Sequence, residues 1–165
     1  MRNFLLAAAC ALIIAGCGGK RTPAPATPTI TAQQEAISRV GDITIRASAL
    51  PTAALSPEVA SRYGIARDER TIMLLVGVRQ GADLQETSLP AKITATATNL
   101  SGQRQEIVLR ELRSGDPSTG SGQALLDYVG TVETSLPDTL RFDLAIVREG
   151  GASSTLQFSR EFYPR

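Results

Sequence analysis

The sequence predicts an all-β protein: an antiparallel, seven-stranded sandwich of immunoglobulin type with one short helix, carried behind a signal peptide and a disordered linker. Three observations predict it. Beyond residue 40, apolar side chains recur at every second position over several runs, which is the signature of strands with one buried face. Gly, Pro, Asn, Asp and Ser punctuate those runs at short intervals, as in sandwiches and barrels. Only one segment, near residues 56–64, carries both a helix start and a helix stop.

The chain begins MRNFLLAAACALIIAGCGG. Arg2 and Asn3 precede an apolar run of about a dozen residues, too short to cross a hydrocarbon core of ~30 Å as a helix but suited to a signal peptide. The run ends in Ile14-Ala15-Gly16-Cys17, which resembles the lipobox of bacterial lipoproteins. That resemblance implies cleavage between Gly16 and Cys17, a diacylglyceryl thioether on Cys17 and a third acyl chain on the new amino group. Two chains already anchor a protein stably, at ~0.8 kcal/mol per buried methylene. Gly18 stands where an Asp would signal inner-membrane retention in that class, so the expected address is the periplasmic face of the outer membrane.

Residues 1–16 are therefore read as leader and residues 17–39 as a lipid-anchored flexible linker, rich in small residues and proline up to about Gln34. Such a segment buries too little apolar surface to fold, and proline-rich chain rises ~3.1 Å per residue where extended. Residues 40–165 form the sandwich domain. About 149 residues follow the leader, enough for one ordinary core.

Within that domain Ile43, Ile45, Ala47 and Ala49 alternate with polar residues, as do Ile93, Ala95 and Ala97, and Leu140, Phe142, Leu144 and Ile146. Thr71 to Val78 is continuously apolar and reads as a central strand covered on both sides. Further strands are expected near Gln105 to Arg113, Leu125 to Glu133 and Thr155 to Tyr163. Turns fall at Asn99-Leu100-Ser101-Gly102, Ser114-Gly115-Asp116-Pro117, Leu136-Pro137-Asp138 and Glu149-Gly150-Gly151. An open barrel is the competing closure. In the helix, Ser56 caps the first amides, Pro57 opens the first turn, Glu58 meets the positive dipole end and Gly64 takes the left-handed stop. Val59 and Tyr63, four apart, share the face that lies on the sheet.

Composition excludes several chemistries. The chain has no histidine, hence neither the usual general base near neutral pH nor the commonest zinc ligand. Its cysteines are Cys10, inside the leader, and Cys17, so the domain has no disulfide and no thiol nucleophile. Seventeen basic residues face sixteen acidic ones, and loss of Arg2 with the leader balances them; no field steers nucleic acid. Gly120-Ser121-Gly122 lacks the Lys and the helix of a phosphate loop, so no nucleotide is expected. No metal, cofactor or catalytic residue is assigned. Asp127, Asp143, Glu111 and Glu161 are the principal carboxylates, and Asp127 and Asp143 are read as members of a solvated face with cross-strand charge pairs. Arg104, Glu106, Arg110 and Arg113 belong to the same kind of mixed surface.

Leu55-Ser56-Pro57-Glu58-Val59-Ala60-Ser61-Arg62-Tyr63-Gly64-Ile65, then Leu89-Pro90-Ala91-Lys92, Ala95 to Gln103 (ATATNLSGQ) and Thr139-Leu140-Arg141-Phe142-Asp143 follow in this order. Together they resemble the domain-of-unknown-function family 4426, over Val40 to about Tyr163. The resemblance implies a small exported bacterial protein and carries no activity to any residue. Two departures stand out: fewer aromatic residues in Ile43 to Ala49 than the family pattern, and a longer loop from Gly115 to Gln123, read as an insertion.

The functional expectation is an uncharacterised, periplasm-facing outer-membrane lipoprotein that binds an envelope protein or the cell wall and catalyses no reaction. Its interaction segment would be Ser56, Pro57, Glu58, Val59, Tyr63 and Gly64, a ridge able to dock a partner. Two alternatives stand beside it: a carrier or chaperone holding an apolar ligand or client between the sheets, and a hydrolase that uses carboxylates alone.

Overall fold

The structure is a computed structural model that describes residues 35–82, 85–114 and 125–164. The expected leader, the Cys17 attachment point, the linker up to residue 34 and the Gly115–Gln123 loop lie outside these residues.

Among the described residues, ten strands form two antiparallel sheets. In chain order they are β1 (Ala36–Val40), β2 (Ile43–Pro51), β3 (Thr71–Gln80), β4 (Thr87–Ser88), β5 (Ala91–Thr98), β6 (Arg104–Ile107), β7 (Arg110–Ser114), β8 (Leu125–Glu133), β9 (Asp138–Arg148) and β10 (Ser153–Phe162). The larger sheet runs β1-β2-β3-β8-β7, with the short β4 also on β3; the smaller runs β10-β9-β5-β6. Among the described residues no ladder joins the two sheets, so the fold is a sandwich and not an open barrel.

The seven expected strands are all present, and three more accompany them. β1 lies partly inside the stretch that composition assigned to the linker, paired with β2 from Ala36↔Ala47 to Val40↔Ile43. β4 adds two residues beside the end of β3. The expected strand over 105–113 is divided: Ile107 pairs with Ala95 in the smaller sheet, whereas Arg110 pairs with Val129 in the larger. Gly130 makes this change of sheet feasible. A Cβ there would lie 2.7 Å from the Val108 carbonyl oxygen and 2.7 Å from Ile107 Cγ2, closer than packed atoms tolerate.

Period-two alternation places Ile45, Ile72, Leu74, Val76, Val78, Phe142 and Ile146 between the sheets, all fully buried. Phe142 and Phe158 stack there with ring centroids 4.9 Å apart. The buried Tyr128 of β8 accepts a hydrogen bond from the Ala91 amide of β5 at 2.8 Å, tying one sheet to the other.

The helix α1 (Pro57–Tyr63) occupies the expected residues. Ser56 Oγ accepts from the Val59 amide at 3.3 Å, and Gly64 adopts φ 58° with its N–H returned to Ala60 and Ser61 carbonyls. A 3-10 turn at Thr52–Ala54 leads into it. Val59, Ala60 and Tyr63 pack with Leu50, Leu55, Met73 and Val129 on the outer face of the larger sheet.

Candidate functional site

A cleft of about 730 Å³ lies at one end of the sandwich. Three sequence-distant segments build it: Asp68 to Thr71 before and at the start of β3, Asn99 to Gln105 between β5 and β6, and Glu133 to Asp138 between β8 and β9. Each is held by its own polar side chains, because backbone groups leaving a sheet must find new partners. Asn99 Oδ1 accepts from the Gln103 amide at 2.8 Å and Asn99 Nδ2 donates to Gln103 Oε1 at 3.0 Å. Asp138 Oδ1 accepts from the Thr139 amide at 2.8 Å and from the Leu100 amide at 3.5 Å, while Oδ2 accepts from Thr134 Oγ1 at 2.7 Å. Asp68 Oδ1 accepts from the Arg70 amide at 2.8 Å and from Thr71 Oγ1 at 3.3 Å.

Two of the three carboxylates in the cleft therefore hold loops. The charged groups left over are the Arg70 guanidinium and the Glu133 carboxylate, which make no hydrogen bond or ion pair with other described residues. Around them lie the hydroxyls of Ser101 and Ser135 and the strongly exposed Leu100. One cation, one anion and several neutral donors and acceptors suit a polar, mixed-charge segment. No group of three or more metal-ligating side chains occurs among the described residues.

A second polar constellation lies on the outer face of the larger sheet. Arg79, nearly buried, donates from Nη1 to the Leu126 carbonyl at 2.8 Å and from Nη2 to Asp127 Oδ1. It fills the fork where β3 changes its neighbour from β8 to β4, and Ser88 Oγ accepts from the Leu126 amide at 3.0 Å in the same fork. Gly77 leaves the space, since a Cβ would stand 3.1 Å from Asp127 Oδ1 and 3.3 Å from the Arg79 guanidinium. Beside this pair Arg46 binds Glu86 through two bonds of 2.6 and 2.9 Å and approaches Glu35 at 3.8 Å. The bidentate Arg46 contact, first, and the charges of Arg46, Arg79 and Arg39 hold the Glu86 carboxyl below its usual range.

Several expected positions are refined by these contacts. Asp127 does have a cross-strand arginine, but the pair is largely shielded, with side-chain exposures of 11% for Arg79 and 17% for Asp127, so it is not part of a solvated face. Asp143 meets Arg141, two residues away on its own strand, at 3.3 Å, and its cross-strand partner is Gln157. Glu111 likewise meets Arg113 on its own strand. In the expected interaction segment, Val59 and Tyr63 are partly turned into the helix contact, Ser56 and Gly64 are caps, and Pro57 and Glu58 remain exposed. The Glu58 carboxyl is held below its usual range by its own backbone amide first, then by the Ser56 hydroxyl and Arg67.

The end cleft and the Arg79 fork are absent from the sequence reading. The one local signal for the fork is Arg79 closing an apolar run two residues after Gly77.

A family model described as "Domain of unknown function (DUF4426)" matches residues 37–165. Among solved structures, the crystal structure of a DUF4426 family protein from Pseudomonas aeruginosa PAO1 is similar, with a TM-score of 0.61 at 23% identity, covering 81% of this chain and 98% of that one. At that identity the likeness carries the fold. No curated protein matches.

Proposed function

The chain belongs to the DUF4426 family, and from that premise we propose that it is a lipid-anchored, periplasm-facing outer-membrane protein whose sandwich is a non-catalytic binding module for an envelope protein. The observation that carries the reading is the end cleft: a polar, loop-built concavity in which Asp68 and Asp138 hold the loops while the Arg70 and Glu133 side chains make no hydrogen bond or ion pair with other described residues. A partner segment bearing one acidic and one basic side chain complements that pair. The lipobox-like Ile14-Ala15-Gly16-Cys17 and the proline-rich linker supply the anchor and the reach.

The absence of histidine and of any cysteine beyond Cys17 favours binding over catalysis. A carrier of apolar ligands would need a cavity between the sheets, where Ile45, Ile72, Leu74, Phe142 and Ile146 are 0% exposed and pack together. The α1 ridge is a secondary contact surface in this reading, with Pro57 and Glu58 as its outward residues.

Site-specific photo-crosslinking in intact cells tests the module. Probes at Leu100 and Ser135, on the cleft, are expected to give one discrete adduct with an envelope protein, whereas a probe at Val147, away from it, gives none. No adduct from any face, or the same adducts from every face, would overturn the reading. Mass spectrometry of the mature N-terminus is expected to find acylated Cys17, and Cys17→Ser is expected to release the folded chain from membranes; an unmodified Cys17 removes the anchor.

A further inference from the structure

The outer face of the smaller sheet carries a groove of about 400 Å³ that shares no lining residue with the cleft. Strand register sets its floor. Glu106, Thr96, Asp143 and Gln157 stand in one row across β6, β5, β9 and β10, and Thr94, Ala145 and Thr155 in the next. The small side chains of the second row lower the surface, while Arg104 and Gln157 border it. At the floor, Thr96 is 8% exposed and its Oγ1 has no hydrogen-bond partner among the described residues. A buried hydroxyl left in that state is costly unless something arrives to pair with it.

We propose that this groove binds an uncharged saccharide chain, as a second site independent of the cleft. The chemistry of the donor set identifies the class. Asp143 accepts from Arg141 Nε and from Gln157 Nε2, which orients it and leaves acceptor capacity toward the groove. Gln157 keeps its amide oxygen as an acceptor, Arg104 offers a guanidinium that makes no hydrogen bond or ion pair with other described residues, and Thr96 Oγ1 can donate or accept. A sugar hydroxyl both donates and accepts, so neighbouring hydroxyls of one ring satisfy this alternation of acceptors and donors. Arg104 and Arg141 balance Asp143 and Glu106 across the face, which removes the excess positive field that a polyanion would require. The volume lies within the range of ordinary ligand sites.

The test uses the full chain purified in detergent, with a tetramer of N-acetylglucosamine as the probe and dextran sulfate as the charged comparison, read by calorimetry and saturation-transfer NMR. The tetramer is expected to bind and dextran sulfate not to. Thr96→Val, which keeps the β-branched shape and removes the hydroxyl, is expected to weaken binding about tenfold while the melting temperature stays level or rises. Asp143→Asn is expected to weaken it similarly. No binding of the tetramer up to about 10 mM, stronger binding of dextran sulfate, or unchanged affinity in both variants overturns the proposal. So does a tetramer that competes with crosslinking at Leu100 while Thr96→Val has no effect, since the sugar would then belong to the cleft. Loss of the cleft adducts with tetramer binding intact would overturn only the protein-partner reading.

Discussion

Two halves of one surface, the outer face of the larger sheet, are stabilised in opposite ways. Toward one end, Leu50, Met73 and Val129 are buried beneath α1 together with Leu55 and Ala60. Toward the other, the same strands present Arg46, Gly77, Arg79 and Asp127, and the helix of the described residues does not pack there. Met73 and Arg79 have the same parity on β3 and differ in what lies over them. Where the chain supplies its own cover, removal of apolar area from water stabilises the contact. Where α1 does not reach, the sheet keeps charged groups that pair with one another and close the β3 fork. The difference teaches that outward strand positions in this fold are not one class: the half over which the chain folds back is a second core, and the other half is a polar lattice.

The largest effect should come from the covered half. Met73→Ala removes a side chain only 2% exposed between sheet and helix and is expected to cost about 2–5 kcal/mol in urea unfolding of the full chain. A loss below about 1 kcal/mol would mean that α1 is loosely held and that the two halves are more alike than they look.

Next comes the fork. Asp127→Ala leaves the Arg79 guanidinium without its anion; breaking a fully buried pair costs about 3–5 kcal/mol, and the partial exposure here reduces the expectation to about 2 kcal/mol. The double variant Arg79→Met with Asp127→Leu should recover only part of that loss, because the Leu126 carbonyl still loses its donor. Full recovery would show the backbone bond to be dispensable.

The smallest effect is on pH dependence. Glu86 has a depressed folded-state pKa because Arg46 binds its charged form. Its contribution is therefore present above the unfolded value near 4.3 and is lost as pH falls through the folded value. Thermal melts between about pH 5 and pH 3 are expected to show a shallower acid decline in Glu86→Gln than in the parent chain. Identical slopes would remove the Arg46 contact from the stabilising set.

Local features were readable where one segment determines its own structure. Ser56, Pro57 and Gly64 cap α1 at the expected residues because capping is satisfied within a turn of the chain. Ile43 to Ala49 and Leu140 to Ile146 alternate because each strand has one dry face. The break between Ile107 and Arg110 was not readable, since apolar character continues through Val108 and Leu109. What makes room for it, the missing side chain at Gly130, sits on another strand. The short β1 escaped for a different reason: AISRV is an edge strand of mixed polarity, with Ile37 and Val40 exposed, so its hydrophobic pattern is weak. The cleft escaped because Asp68, Asn99 and Asp138 are distant in the chain and meet only when three strand ends converge.

By itself, the sequence determined the all-β class, the two-faced strands, the capped helix and a stretch from residue 40 to residue 165 without histidine or cysteine. Those follow from side-chain type and short-range spacing, which a linear chain carries in full. Only the tertiary structure decided which strands share a sheet, where Arg79 finds the Leu126 carbonyl and Asp127, and which loops enclose a cleft. Pairings of that kind depend on contacts between residues far apart in the chain, and local periodicity holds no record of them.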